Sequence, residues 1–414
     1  MNIQNLPRII FALLFVAFLN VWLIVSLINH GPALAQDLSA AIREAKNLGE
    51  LKTNLIVFEG KLGENSWGKT KFIDAYAYLQ RLMGKEETDN FWAVRDLNGT
   101  LSFASFYPYD IPDVEECARR TWRLKASVEK KGTRVFFINS PARYVRNKFE
   151  FSPGLPYEDN NYLQDAFLYH LQRYGIDYVD IRTIMSKYTG ILPEDYFFRT
   201  DHHWRVETAF EVFTDIISWM EDFYKLDLDP GGFYRDRDNY NYRTYHNAFL
   251  GSMGRRTGAN FSGFDDFTVI WPRFDAETDI TFDARFLEED KTWSSRGTIT
   301  GVLMYPFCLS TEDPYMVDFY AVYQGGLKPS DKIINHKNPG GPKLLLIRDS
   351  YMLPLGVFMA PMFSEIHMIW PLNDEVQIDI ESYLEENTFD VIIIEMYERN
   401  LHLKSFYFFP DPLE

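Results

Sequence analysis

"KLLLIRDSYMLP", residues 343–354, runs from an unbroken apolar stretch into a polar turn that ends on a hydroxyl. Four consecutive apolar residues bounded by turn formers read as a strand buried on both faces. Ser350 then stands just past its carboxyl end. The same grammar recurs in "TRVFFINSP" (133–141), "IDYVDIR" (176–182), "SEIHMIWP" (364–371) and "FDVIIIEMYERN" (389–400). Between these runs lie stretches with apolar residues at helical spacing, among them "VEECARRTWRLKASVEKKG", "YLQDAFLYHLQRYG" and "VETAFEVFTDIISWMEDFYK". Strands of this continuous kind alternating with helices predict an α/β fold, a mainly parallel sheet flanked by helices. Residues from about 225 to 335, rich in Asp, Asn, Gly and Tyr, read as a loop-rich insertion into one domain.

Working outward, 414 residues with 46% apolar content suffice for two domains or one large one. The charge balance of 42 basic against 59 acidic residues gives −17, with no basic block. That excludes a nucleic-acid partner, which needs a concentrated basic surface. Cys117 and Cys308 stand alone, without a CxxC pair, and fit either one disulfide or two thiols.

The N-terminus carries "IIFALLFVAFLNVWLIVSLI", Ile9 to Ile28, without a charge. Roughly 20 residues at 1.5 Å each span about 30 Å of hydrocarbon. Residues 1–35 therefore read as a membrane anchor, or as a signal peptide cleaved after Ala33-Leu34-Ala35. Residues 36–50 read as a short linker helix, "NLIVFEGKLGENSW" as a strand and turn, and 51–414 as the α/β domain. An N-in insertion places everything beyond about residue 36 outside the cytoplasm.

The chemistry-bearing stretch is "TDHHWRVETAF", Thr200 to Phe210. A metal centre there needs ligands that face one ion, and the side chains of adjacent His202 and His203 are expected to diverge; no metal or cofactor is called for. "DLDPGGFYRDRD" sets Asp227, Asp229, Gly232 and Asp238 on calcium-loop positions, but with proline fourth and glycine fifth the match is poor. A triad asks for one base, one carboxylate to orient it and a nucleophile from elsewhere. Asp201 and His203 are spaced for the first two, and Ser350 sits where ligands reach an open α/β sheet. Taken singly, Asp201 and Ser350 also read as helix caps.

"TDHHW" before a helix, "RDSY" ending an apolar strand and the late "VIIIEMYERNL" together resemble the DHHW family, related to the SGNH-hydrolase-like domains of alginate-type polysaccharide O-acetyltransferases. The order of motifs resembles a permuted SGNH hydrolase. The resemblance implies Ser350 as nucleophile, His203 as base and Asp201 as its orienting carboxylate, with His202 and Trp204 in support. Arg348-Asp349 stands where a glycine is common, so "GSMGRRTG" (251–258) is a candidate source of oxyanion amides or, through Arg255 and Arg256, of anion binding. Trp204 and Tyr351 complete the candidate substrate-binding set. The function implied is an extracytoplasmic, single-pass O-acetyltransferase acting on a cell-surface or secreted polysaccharide, supplied with acetyl groups by a polytopic membrane-bound O-acyltransferase. A carbohydrate esterase with the same triad and a non-catalytic glycan-binding scaffold are the alternatives.

Overall fold

The computed structural model describes residues 6–64, 66–106, 113–141, 143, 145, 150–188, 195–285, 292–372 and 376–410. The chain forms two compact units, Met1–Leu79 and Gln80–Glu414.

In the first unit one helix runs from Leu6 to Arg43, through Pro32. Its Ile9–Arg43 portion is long and apolar enough to cross a membrane. The linker helix expected at 36–50 is not separate: residues up to Arg43 continue the first helix, and a second begins at Leu48. That second helix, Leu48–Glu64, replaces the strand expected from "NLIVF". A four-residue apolar run does not by itself distinguish strand from helix. Local capping decides it: Asn47 Oδ1 accepts the Glu50 N–H at 2.9 Å, while Glu50 accepts the Lys46 N–H at 2.8 Å. Asn54 reaches the Ala41 carbonyl and Lys61 pairs with Asp37, folding the second helix back along the first.

The second unit is built on an eight-stranded sheet. Its order is Asp177–Asp180, Arg134–Ser140, Val391–Tyr397, Lys343–Ile347, Glu365–Ile369, Ser330–Asn335, Ile280–Arg285 and Thr292–Gly297. The first five are parallel, as the apolar runs predict. The last three are antiparallel and come from the stretch read as loop. That stretch also forms a two-stranded ribbon, Tyr240–Phe249 with Asp265–Pro272. The sequence reading missed these strands because Thr, Asp and Asn alternate with their apolar residues and look like turn material.

Alternation in the parallel strands feeds two cores. Leu344 and Leu346 pack with Phe136, Ile138 and the Val206–Tyr224 helix, while Leu345 and Ile347 pack with Phe137, Leu171 and Phe406 on the other face. A helix layer on each face leaves only the strand ends free to carry chemistry.

Candidate active site

The Lys343–Ile347 strand delivers Ser350 to the carboxyl edge of the sheet. The cap of the short turn that follows is not Ser350 but Asp349, whose Oδ1 accepts the Tyr351 N–H at 3.0 Å. Asp349 Oδ2 also accepts the Tyr397 N–H at 3.0 Å and the Asn400 side-chain amide at 2.9 Å. The residue before the serine is thus fastened to the end of the neighbouring strand. Arg348 turns away into the protein, where it pairs with buried Asp331 at 3.0 Å and reaches Gln324 at 3.1 Å.

Glu395, near the carboxyl end of the neighbouring strand, is fully buried and accepts the Asp349 N–H at 3.2 Å. Burial, with the Asp349 charge beside it, holds its carboxyl well above the usual range. It lies within a strand, and Arg399, four residues on, sits 3.8 Å from Glu158 and over the Phe103 ring.

The other half of the site is a tight loop rather than a helix start. Phe197 bridges to Trp204, and Phe198 N–H donates to the His203 carbonyl, so "TDHH" is pinched between them. The helix begins only at Val206, capped at Arg205, and Asp201 does not cap it. The Asp201 carboxylate accepts instead from His203 N–H at 3.0 Å, from Ser252 N–H at 2.6 Å and from His203 Nδ1 at 2.6 Å. His203 Nε2 lies 2.6 Å from Ser350 Oγ.

The protonation pattern follows from these contacts. Burial would raise the Asp201 carboxyl, but His203, His202 and the hydrogen bonds from His203 and Ser252 outweigh it and hold it well below its ordinary value. An ionised carboxylate can only accept, so His203 Nδ1 carries the proton. Nε2, on the far side of the ring, faces the Ser350 hydroxyl. Asp201 and His203 are buried, whereas Ser350 is partly open.

His202 does not diverge from His203 as expected. The two rings lie with centroids 3.9 Å apart and planes tilted by 37°, and His202 Nδ1 meets Ser252 Oγ at 3.2 Å. Asp201, His202 and His203 form the one group near enough to share an ion among the described residues. Both nitrogens of His203 are already engaged, by Asp201 and Ser350, so an ion there would have to displace the serine. In the calcium-like segment, Asp229 is spent on the backbone of Tyr234 and Arg235 and on the Arg235 guanidinium.

The remaining candidates serve other ends. Trp204 is wholly buried, edge-on to Tyr351 at 4.9 Å, and so cannot offer a face to substrate. Tyr351 is also buried, its hydroxyl donating to the His202 carbonyl and its ring stacked on Tyr397. Arg255 is held by the Val317 carbonyl and Asp318, and Arg256 by Asp89 and the Trp92 ring. The amides of "GSMGRRTG" also point elsewhere than an oxyanion: Gly251 N–H goes to Thr200 Oγ1, Ser252 N–H to Asp201 and Gly254 N–H to the Thr200 carbonyl.

Residues 107–226 match a family model described as the SGNH hydrolase-like domain of acetyltransferase AlgX. Among solved structures, the chain is similar to Bacillus cereus PatB1 with a sulfonyl adduct, at TM-score 0.61 and 15% identity over 76% of this chain and 99% of that one. The fold is SGNH hydrolase-like. A DHHW family protein from Eubacterium siraeum is similar at TM-score 0.55 and 17% identity, over 77% of this chain and 95% of that one. No curated protein sequence matches the chain. The family match takes in Asp201 and His203 but ends well before Ser350, which joins them only in three dimensions.

Sequence reasoning passed over several supports of the site in this SGNH-like fold. Asp265, fully buried, accepts from Arg199 N–H at 2.9 Å and from Thr200 N–H and Oγ1 at 2.7 Å each. Tyr320 lies flat on His203, centroids 4.1 Å apart and 13° from parallel. Buried Arg143 donates to the Phe198 carbonyl and holds positive charge near Asp201; burial pulls its guanidinium down to about 10. Asp265, Ser252 and Tyr320 come from the insertion, where no periodic pattern marked them.

Proposed function

We propose that this chain is a membrane-tethered, extracytoplasmic O-acetyltransferase that uses Asp201, His203 and Ser350 to modify a polysaccharide. The unbroken contact from Asp201 through both His203 nitrogens to Ser350 carries the reading. His203 Nε2 takes the Ser350 proton as Oγ attacks the carbonyl carbon of an acetyl donor. Negative charge collects on the carbonyl oxygen of the tetrahedral adduct. The Ser350 N–H, at the first position of its helical turn where the helix offers no acceptor, is the donor we assign to that oxygen. Collapse of the adduct breaks the bond to the leaving group, which departs with the proton from His203 and leaves acetyl-Ser350. A sugar hydroxyl then gives its proton to His203 and attacks the same carbonyl, and collapse returns Ser350 to the free hydroxyl.

The family model's acetyltransferase description and the sulfonyl adduct of PatB1 support this chemistry, since sulfonyl electrophiles trap activated nucleophiles. The apolar Ile9–Arg43 helix supplies the tether, and a polytopic membrane-bound O-acyltransferase is the proposed source of acetyl groups. The test is acetylation of the full chain by a chromogenic acetyl ester, followed by addition of oligosaccharide. Acetylated sugar as product supports transfer. Free acetate at a rate indifferent to the sugar marks an esterase, and no acetyl-Ser350 in a protein that binds the sugar marks a scaffold.

A further inference from the structure

At the opposite edge of the sheet from Ser350 lies a cavity of about 350 Å³. Asn335, in its wall, ends a strand that runs antiparallel to Glu365–Ile369, with Ile334 opposite Glu365. Glu365 in turn pairs with Lys343, the residue that starts the serine's strand. The cavity and the serine are therefore separated by the length of the sheet, roughly 20 Å for strands at about 3.3 Å per residue.

The floor is fixed. Asn335 donates to the Ala360 and Pro361 carbonyls, and Asn338 to that of Met362, so these amides hold the walls together. What remains for a ligand is of two kinds. Phe233, 46% exposed, lies at the mouth, braced by Tyr234 and Phe274 at centroid distances of 5.3 and 5.4 Å. Asp227, Glu277 and Lys337 are exposed around it.

We infer that this cavity is a saccharide-binding subsite, remote from the reacting serine, that takes a neutral sugar or amino sugar of the acceptor chain. An open aromatic ring packs against the C–H face of a pyranose, and carboxylates accept hydrogen bonds from its hydroxyls while the ammonium donates to them. The volume suits one or two sugar rings. Two carboxylates against one ammonium, on a chain of net charge −17, disfavour a uronate. The inference deepens the proposed function and rests on its reading of the chain as acting on polysaccharide. The subsite would hold the polymer while successive hydroxyls pass Ser350.

The experiment is titration calorimetry on the full chain in detergent with three probes: a β-glucan tetrasaccharide, an N-acetylglucosamine tetrasaccharide and an oligogalacturonate. At least one neutral probe is expected to bind, and Phe233→Ala and Asp227→Asn are each expected to weaken it at least tenfold, with Phe233→Tyr restoring it. Neither variant touches the serine edge, so acetylation of Ser350 by the chromogenic ester should stay within twofold of wild type. Binding unchanged in Phe233→Ala, tighter binding of the oligogalacturonate, or no binding of either neutral probe overturns the subsite. Failure of Ser350 to acetylate while Phe233-dependent binding persists overturns the catalytic proposal and leaves the subsite standing.

Discussion

The two halves of the sheet obey different rules. In the parallel half, Arg134–Ser140, Lys343–Ile347 and Val391–Tyr397 are buried almost throughout. In the antiparallel half, Ser330–Asn335 and Ile280–Arg285 alternate buried with partly open residues, and the edge strand Thr292–Gly297 is mostly exposed. Helices cover both faces of the first, whereas the second has one face open. The parallel half carries Ser350, the proposed nucleophile, and the insertion that forms the antiparallel half supplies the braces: Ser252 for Asp201, Asp265 for Thr200 and Tyr320 for His203. The comparison teaches that the working parts and the parts that aim them come from differently patterned sequence.

The sharpest break of that comparison is at the base itself. His203→Ala should slow acetylation of Ser350 by about 10² to 10⁴-fold, the usual range for a lost general base, measured as burst rate with a chromogenic ester. Next comes a residue of the insertion that touches neither base nor nucleophile. A Cβ at Gly251 would lie 2.3 Å from Asp201 Cβ and 2.6 Å from the Thr200 carbonyl, so Gly251→Ala must push the orienting carboxylate aside. Since a displacement of about 1 Å costs on the order of 10²-fold, a loss of that size is expected, and an unchanged rate would mean the insertion does not aim Asp201. Smaller again is the ring under the base: Tyr320→Ala should lower the rate by about tenfold or less and Tyr320→Phe hardly at all, because stacking supplies roughly 0.5–1.5 kcal/mol.

The smallest effect concerns His202 and is one of stability. Burial first, then the neighbouring His203, pushes its imidazole from 6.5 down to about 3, with Asp201 opposing. A folded value below the unfolded one means that the stability it contributes is complete above about pH 6.5 and is lost as the pH falls toward 3. About a quarter of the side chain stays open to solvent, which softens the loss. His202→Asn should therefore flatten the fall in Tm between pH 6.5 and 4; an identical fall would place the acid sensitivity elsewhere.

Legibility followed the same division. Ser350 could be found because "LLLI" announces a buried strand, and Asp201 and His203 because their spacing suits a carboxylate and its imidazole. Their meeting at 2.6 Å, across 147 positions of sequence, was implied by the family resemblance and by no local pattern. Asp265 and Tyr320 were hidden because a lone aspartate or tyrosine in loop-like sequence has no period to betray burial. Arg255 and Arg256 misled for the opposite reason: paired cations suggest an anion site, but partners distant in sequence had already claimed them. The "NLIVF" helix in the first unit shows the limit for short apolar runs, where the cap at Asn47 carried the deciding information.

The central claim is that Ser350 is a nucleophile driven by His203. Its most direct test is mass spectrometry of the full chain after treatment with a sulfonyl fluoride, with peptide mapping of the adduct. The account predicts a single adduct on Ser350, absent in Ser350→Ala and formed far more slowly in His203→Ala. A wild-type chain that stays unmodified, or one modified elsewhere with Ser350 free, would contradict it.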